Sequence, residues 1–226
     1  GDTIPADFDS MIAKIIAYGR TRAEALGRLR RAMRETTVVI DGGATNKSFV
    51  LELLQQPEVV GPDSLNGPAA RRAAPQEDEP AGEWADTGWI DRVRAEGGLV
   101  ADEHAGVALV VAAVEAYEEN AAIETERLLT TAHGGRPQTQ HKSGAALELK
   151  LRGVVHTVVP FATAPGRYRV VVDGQTTDAG ITRLDDVHSR IVVGGELHRV
   201  VSATHGPVHL IEVDGVMHRV SRDEGG

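Results

Sequence analysis

The chain has 226 residues, 41% hydrophobic and 25% charged, enough apolar surface to bury the cores of one or two domains. A formal net charge of -9 repels nucleic-acid phosphates, and three Phe, three Tyr and two Trp leave few rings to stack on bases, so no nucleic-acid role is expected. The absence of cysteine removes disulfides, zinc-thiolate sites, iron–sulfur clusters and cysteine nucleophiles, and makes a reducing compartment, the cytoplasm, the default.

Residues Gly1 to Pro5 carry neither an initiator Met nor a basic leader, so the chain is expected to start in mid-domain. Met11 to Tyr18 is an apolar run ending at Gly19 and reads as a buried strand. Thr21 and Glu24 have the spacing of a capping box, which predicts a helix whose apolar face is Leu26, Leu29 and Met33. Arg22, Arg28, Arg30, Arg31 and Arg34 point elsewhere and read as a solvated face. Thr36 to Ile40 reads as a second strand, and Asn46 can cap a short helix through Leu54 that stops before Pro57.

Gly61 to Gly82 is rich in Gly, Pro, Ala, Asp and Glu, the composition of a solvated linker or surface insertion. The acidic surplus lies in and after it: Lys and Arg number 3 against 14 Asp and Glu over residues 76 to 132, and are nearly balanced on either side. Asp86 or Thr87 can cap a short helix carrying Trp89, Ile90 and Val93 that stops at Gly97-Gly98. From about 102 to 132 the sequence contains no Pro, is rich in Ala, and meets Gly134-Gly135, which predicts one long helix. Its first half, with Val107, Leu109, Val110, Val111 and Val114, is apolar on every side and must be surrounded by protein. The longest apolar run, Ala105 to Val114, is far short of the roughly 20 residues of a membrane span, and Glu115, Glu118 and Glu119 follow it, so no membrane role is expected.

Gly153, Gly174, Gly195 and Gly215 recur at intervals of 21, 21 and 20, each in a short turn between β-prone runs. Two-residue turns of the primed types need positive φ, which Gly adopts without a Cβ clash, so four hairpins are predicted. They give eight strands: 146 to 151, 154 to 160, 167 to 172, 175 to 179, 188 to 193, 196 to 203, 208 to 213 and 216 to 221. Eight short antiparallel strands suit a closed barrel, and the apolar helix just before them is the economical filling.

Three of the repeats place His three positions after the turn Gly: His156, His198 and His218. Equivalent positions lie around a barrel rather than at one point, so no metal site is expected from them, and His104, His133, His141, His188, His205 and His209 show no ligand spacing. There is no Gly-rich phosphate loop and no Gly-x-Ser-x-Gly elbow, so no complete active site is expected.

The runs Phe8-Asp9-Ser10-Met11-Ile12-Ala13-Lys14-Ile15-Ile16-Ala17-Tyr18-Gly19, Arg22 to Leu26 and Thr45-Asn46-Lys47-Ser48-Phe49 resemble the C-terminal subdomain of biotin carboxylases, and Asp86 to Asp91 resembles its closing helix. The long helix and eight strands look like the BT domain of biotin-dependent acyl-CoA carboxylases. The resemblance implies an α+β chain: a truncated biotin-carboxylase C-terminal subdomain over 1–97, interrupted by an insertion at 61–82, then a BT-like domain over 98–226. The latter would be an eight-stranded antiparallel β-barrel (146–221) around a central helix (102–132), with a hook at 134–144. It also implies a non-catalytic assembly segment that joins biotin carboxylase to a carboxyltransferase subunit or domain. Partner contacts would involve Arg136, Pro137, Gln138, Gln140 and His141 of the hook. The parent would be an oligomeric ligase using ATP, Mg and biotin, with an ATP-grasp module before Gly1 and a biotin carboxyl carrier domain after Gly226. No cofactor is implied within the fragment. By position Asp9 matches an acidic residue at the biotin and bicarbonate end of the family's active site, although as a bare residue it reads equally as a strand-start Asp. The alternative reading of the residues is a self-standing β-barrel that binds a small ligand, and a third is a hydrolase using the histidines.

Overall fold

The computed structural model describes residues 11–40, 43, 45–61, 88–91, 103–131 and 145–222. They belong to two units, one made of 1–36 and 47–101, the other of 37–46 and 102–226. Among the described residues no helix is long and apolar enough to cross a membrane.

In the first unit α1 (Arg22–Glu35) begins where Thr21, in extended backbone, accepts the Glu24 amide on its hydroxyl at 3.2 Å. Glu24 reaches back as a capping box requires, but to the Arg20 amide, at 2.8 Å. α1 buries Leu26 against Leu54 and Val60, with Leu29 and Met33 packed alongside, the face its spacing predicts. α2 (Lys47–Leu53) follows directly on Asn46. Pro57 does more than end it: placed at the first position of α3 (Pro57–Val60), where a missing N–H costs nothing, it starts a further turn. Trp89, at 7% exposure, is buried in a short helical stretch over 89–91.

The arginines of α1 are not merely solvated. Arg22 donates to the carbonyls of Val59 and Val60 at the end of α3, and Arg28 to the Tyr18 carbonyl at 2.8 Å and to Glu24. Lys47, 4% exposed, donates to the Thr36 carbonyl at 2.5 Å and lies 3.4 Å from that of Arg34. A cation there meets the last carbonyls and the negative end of the α1 dipole.

Neither predicted strand of this region forms. Met11 to Tyr18 pairs with nothing among the described residues and leaves Met11, Ile12, Ile16 and Tyr18 exposed. A strand is a property of a ladder, so an apolar run without a neighbour does not make one. Val38, Val39 and Ile40 also lack a ladder; they lie in the second unit and line a small cleft with Val201, Ser202, Ala203, Leu210 and Met217.

The second unit contains the long helix α4 (Ala105–Thr131) and strands β1 (Leu147–Leu151), β2 (Val154–Ala164), β3 (Arg167–Val172), β4 (Gln175–Arg183), β5 (His188–Val193), β6 (Glu196–His205), β7 (Val208–Val213) and β8 (Val216–Arg222). Each strand pairs antiparallel with the next, and β1 pairs with β8 through Leu149↔Arg222, Lys150↔Ser221 and Leu151↔Val220, closing the barrel. The four turns are as predicted. Arg152-Gly153, Asp173-Gly174, Gly194-Gly195 and Asp214-Gly215 all hold both residues at φ between 49° and 96°, the signature of type I′, whose twist matches that of paired strands. Inward positions alternate: Leu149 and Leu151 in β1, Tyr168 and Val170 in β3, Ser189 and Ile191 in β5 are buried, while Arg167 and Arg169 face out. Strands β2, β4 and β6 run beyond the predicted ends, to Ala164, Arg183 and His205.

Residues Ala108 to Val114 of α4 are at most 4% exposed, and one apolar cluster joins them to side chains from all eight strands. Seven consecutive buried helical residues cover every direction around the axis, because a helix turns once per 3.6 residues. From Glu119 onward the described side chains of α4 are exposed, Ile123 and Leu129 among them. Helix α4 thus has an embedded half and a solvated half.

Candidate functional site

Asp9, together with Arg136, Pro137, Gln138, Gln140 and His141, lies outside the described residues, as does the whole predicted hook. The polar groups that the structure does bring together sit at the two ends of the barrel core.

One group forms where the apolar half of α4 stops. Glu115 accepts from His209 Nδ1 at 2.9 Å; the carboxylate has no hydrogen to give, so that nitrogen carries it. Thr204 Oγ1 lies 3.3 Å from the same nitrogen, and His209 is 1% exposed. One turn on, Glu118 accepts from the Tyr168 hydroxyl at 2.6 Å and from Arg183, and Glu119 accepts from Arg222. Burial first, then the hydrogen bond and charge of Glu118, push the Tyr168 phenol well above its ordinary range. The acids that end the apolar run are therefore latches, tying α4 to β3, β4, β7 and β8.

The other group gathers at the Asp214-Gly215 turn. Asp214 accepts from His198 Nδ1 at 2.7 Å and from the Arg199 amide at 2.9 Å. His104, just before α4 and at φ 64°, brings its Nε2 to 3.8 Å from the same carboxylate. Its ring centroid is 5.0 Å from that of His198. His218 is 2% exposed; burial pushes its imidazole down to about 4, and the charge of Arg152 adds to the effect.

An internal repeat explains half of this. Asp173 of the β3–β4 turn accepts from His156 Nδ1 at 2.7 Å and from the Thr157 amide at 2.9 Å, the same clamp as Asp214 on His198 and Arg199. In both, the turn aspartate returns to the β-strand two before its own hairpin's second strand and fixes its register. Spacing alone placed the repeat histidines apart and so missed His104, which reaches the cluster from another element. Asp-Gly turns read as turn chemistry, and nothing in their sequence marks one as the centre of a polar cluster.

These clamps carry an acid-side prediction. The hydrogen bond from His156 first, then that from the Thr157 amide, holds the Asp173 carboxyl below its usual value. The Val187 and His188 amides, then the His188 imidazole, do the same for Asp185. With folded carboxyls below unfolded ones, the stability they provide is complete above about pH 4 and is lost as pH falls through the folded values. The gap in urea midpoint between the natural chain and Asp173→Asn is expected to be constant above that pH and to narrow below it. A gap that widens in acid would contradict the assignment.

Residues 1–64 match the family described as Biotin carboxylase C-terminal domain. That segment contains Phe8 to Gly19, Arg22 to Leu26 and Thr45 to Phe49, the runs on which the resemblance rests. The chain is similar to Biotin carboxylase 1 of Bacillus subtilis (strain 168), 51% identical over 55 residues, which is 24% of this chain and 12% of that protein. It is 52% identical over 46 residues to Biotin carboxylase of Haemophilus influenzae, 20% of this chain and 10% of the relative. It is 44% identical over 61 residues to the Biotin-dependent acyl-coenzyme A carboxylase alpha3 subunit of Mycobacterium leprae, 27% of this chain and 10% of the relative. The chain thus spans only 10 to 12% of the length of these relatives. Its N-terminal part is similar to the C-terminal domain of biotin carboxylases, and a closed eight-stranded antiparallel barrel follows it.

Proposed function

We propose that this chain is an assembly segment of a biotin-dependent acyl-CoA carboxylase, joining the biotin carboxylase part to a carboxyltransferase subunit or domain. The observation that carries the reading is a barrel core filled by its own chain: Ala108 to Val114, nearly fully buried, belong to one apolar cluster with side chains from all eight strands. We read α4 as the central plug of the barrel. A lumen occupied in this way argues against the alternative of a small-ligand barrel, whose pocket would need the same space. It favours a module that works through its outer surface and the hook at 134–144. The similarity of residues 1–64 to the biotin carboxylase C-terminal domain supplies the enzyme context.

In this reading the parent enzyme uses ATP and Mg to carboxylate biotin on a carrier domain and passes the carboxyl group to an acyl-CoA. The segment itself performs no chemical step, and ATP, Mg and biotin are held by other parts of the parent. Asp9 would line the biotin end of the carboxylase site. Domain limits at 97 and 98 and an insertion at 61–82 belong to the same proposal.

The test is capture of the matching carboxyltransferase by the tagged full chain. Capture is expected to fall at least about tenfold, about 1.4 kcal/mol of binding free energy, when Arg136, Gln138, Gln140 and His141 are all replaced by Ala. Undiminished capture would take the hook out of the interface, and no capture by the natural chain would overturn the joining role.

A further inference from the structure

We propose that His104, His198 and Asp214 form a binding site for a zinc-like divalent cation that pins the start of α4 to the barrel. Their donor atoms all lie within 4.8 Å of one another. His104 Nε2 is 3.8 Å and His198 Nδ1 is 2.7 Å from Asp214 Oδ2. Ligand atoms around a tetrahedral ion with bonds of about 2.0 to 2.2 Å stand about 3.3 Å apart, so small side-chain shifts would bring all three into place. The hydrogen that His198 Nδ1 gives to Asp214 would leave as the ion enters between them. Three protein ligands leave a fourth position for water.

The repeat provides an internal comparison. Asp173 and His156 make the same clamp as Asp214 and His198, so the clamp alone requires no ion. What sets the second copy apart is His104, the residue that leads into α4, held at φ 64° where a non-glycine residue is uncommon. Register in the turn does not need a third group. An imidazole spent there in an unusual backbone conformation is accounted for by ligation.

Charge and access also fit. The side chains of His104 and Asp214 are 29% and 36% exposed, which gives an ion a path, while His198 is buried at 7%. Glu196, with its carboxylate 4.0 Å from His198 Nε2, adds a second negative charge. Arg152, whose charge acts on neighbouring His218, opposes it with one positive charge. Two imidazoles and a single carboxylate select a borderline transition metal over Ca²⁺ or Mg²⁺, which prefer oxygen.

The site is independent of the assembly reading and is tested separately. The chelator-treated full chain is titrated with Zn²⁺ by calorimetry and with Co²⁺ by visible absorption, and its melting temperature is followed. The decisive variant is His104→Asn, because Asn tolerates the left-handed backbone at this position and the fold should survive. One ion per chain, four-coordinate Co²⁺ bands and a raised melting temperature are expected in the natural chain. His104→Asn should weaken the affinity at least about tenfold, no less than loss of an outer-shell partner of a ligand typically costs, and His156→Ala should leave it unchanged. Absence of binding in the natural chain, binding unaltered in His104→Asn, or an equal loss in His156→Ala would each overturn the site.

Discussion

Val114→Asp is expected to abolish cooperative unfolding of the barrel unit. Val114 is 0% exposed within the apolar cluster, and the carboxylate of the next residue, Glu115, would repel the new one. An unpaired buried charge costs several kcal/mol, the same order as the roughly 5 to 15 kcal/mol by which a whole domain is stable. Val114→Ala, which removes only methyl groups, should cost about 2 kcal/mol and keep the transition intact. Ile123→Asp, on the solvated half of the same helix at 42% exposure, should stay within about 0.5 kcal/mol of the natural chain. Urea unfolding followed by far-ultraviolet circular dichroism separates the three. If Val114→Asp unfolds at the urea concentration of the natural chain, α4 is not held in the core.

A double-mutant cycle on Glu115 and His209 has the next largest effect. Glu115→Leu leaves a 1% exposed imidazole with only the Thr204 hydroxyl, 3.3 Å away, and His209→Leu deprives a carboxylate whose side chain is only 12% exposed of that donor. Each single change should cost about 2 to 3 kcal/mol, because a lone polar group in a core loses its hydration and gains no partner. Glu115→Leu combined with His209→Leu should recover most of that, to within about 1 kcal/mol of the natural chain, since an apolar pair fills the space without stranding anything. Purely additive losses would show that the two groups are not coupled. Glu118 should be less sensitive, because its carboxylate and the Arg183 guanidinium are 34% and 45% exposed and water screens the pair.

The parts of this molecule that were readable in the sequence are those set by local rules. Positive φ at Asp173-Gly174 and Asp214-Gly215 follows from the residues themselves, and the strands on either side inherit their register from the turn. An unbroken apolar stretch at Ala108 to Val114 implies burial on every side whatever the partner, and the structure buries it so. The parts that were unreadable depend on what lies across space. Met11 to Tyr18 has the composition of a core strand, but composition cannot say whether a neighbouring strand stands beside it among the described residues. Glu118 counted only against a membrane span, because its partners Tyr168 and Arg183 are 50 and 65 residues away. Lys47 read only as part of a resemblance; its burial under the last carbonyls of α1 needs the loop that brings it back. His104 joined no motif because the residues it approaches belong to a turn and a strand of distant sequence.

Closure between β1 and β8 has a consequence for the order in which the molecule can be made. The ribosome releases the oily segment around Val110 before any of the eight barrel strands, and the final seam, Leu151 against Val220, forms only when the last ribbon emerges. Until then that segment stays a sticky surface in water, and the β1–β8 join, the pairing of longest sequence separation in the barrel, is the step expected to be slowest.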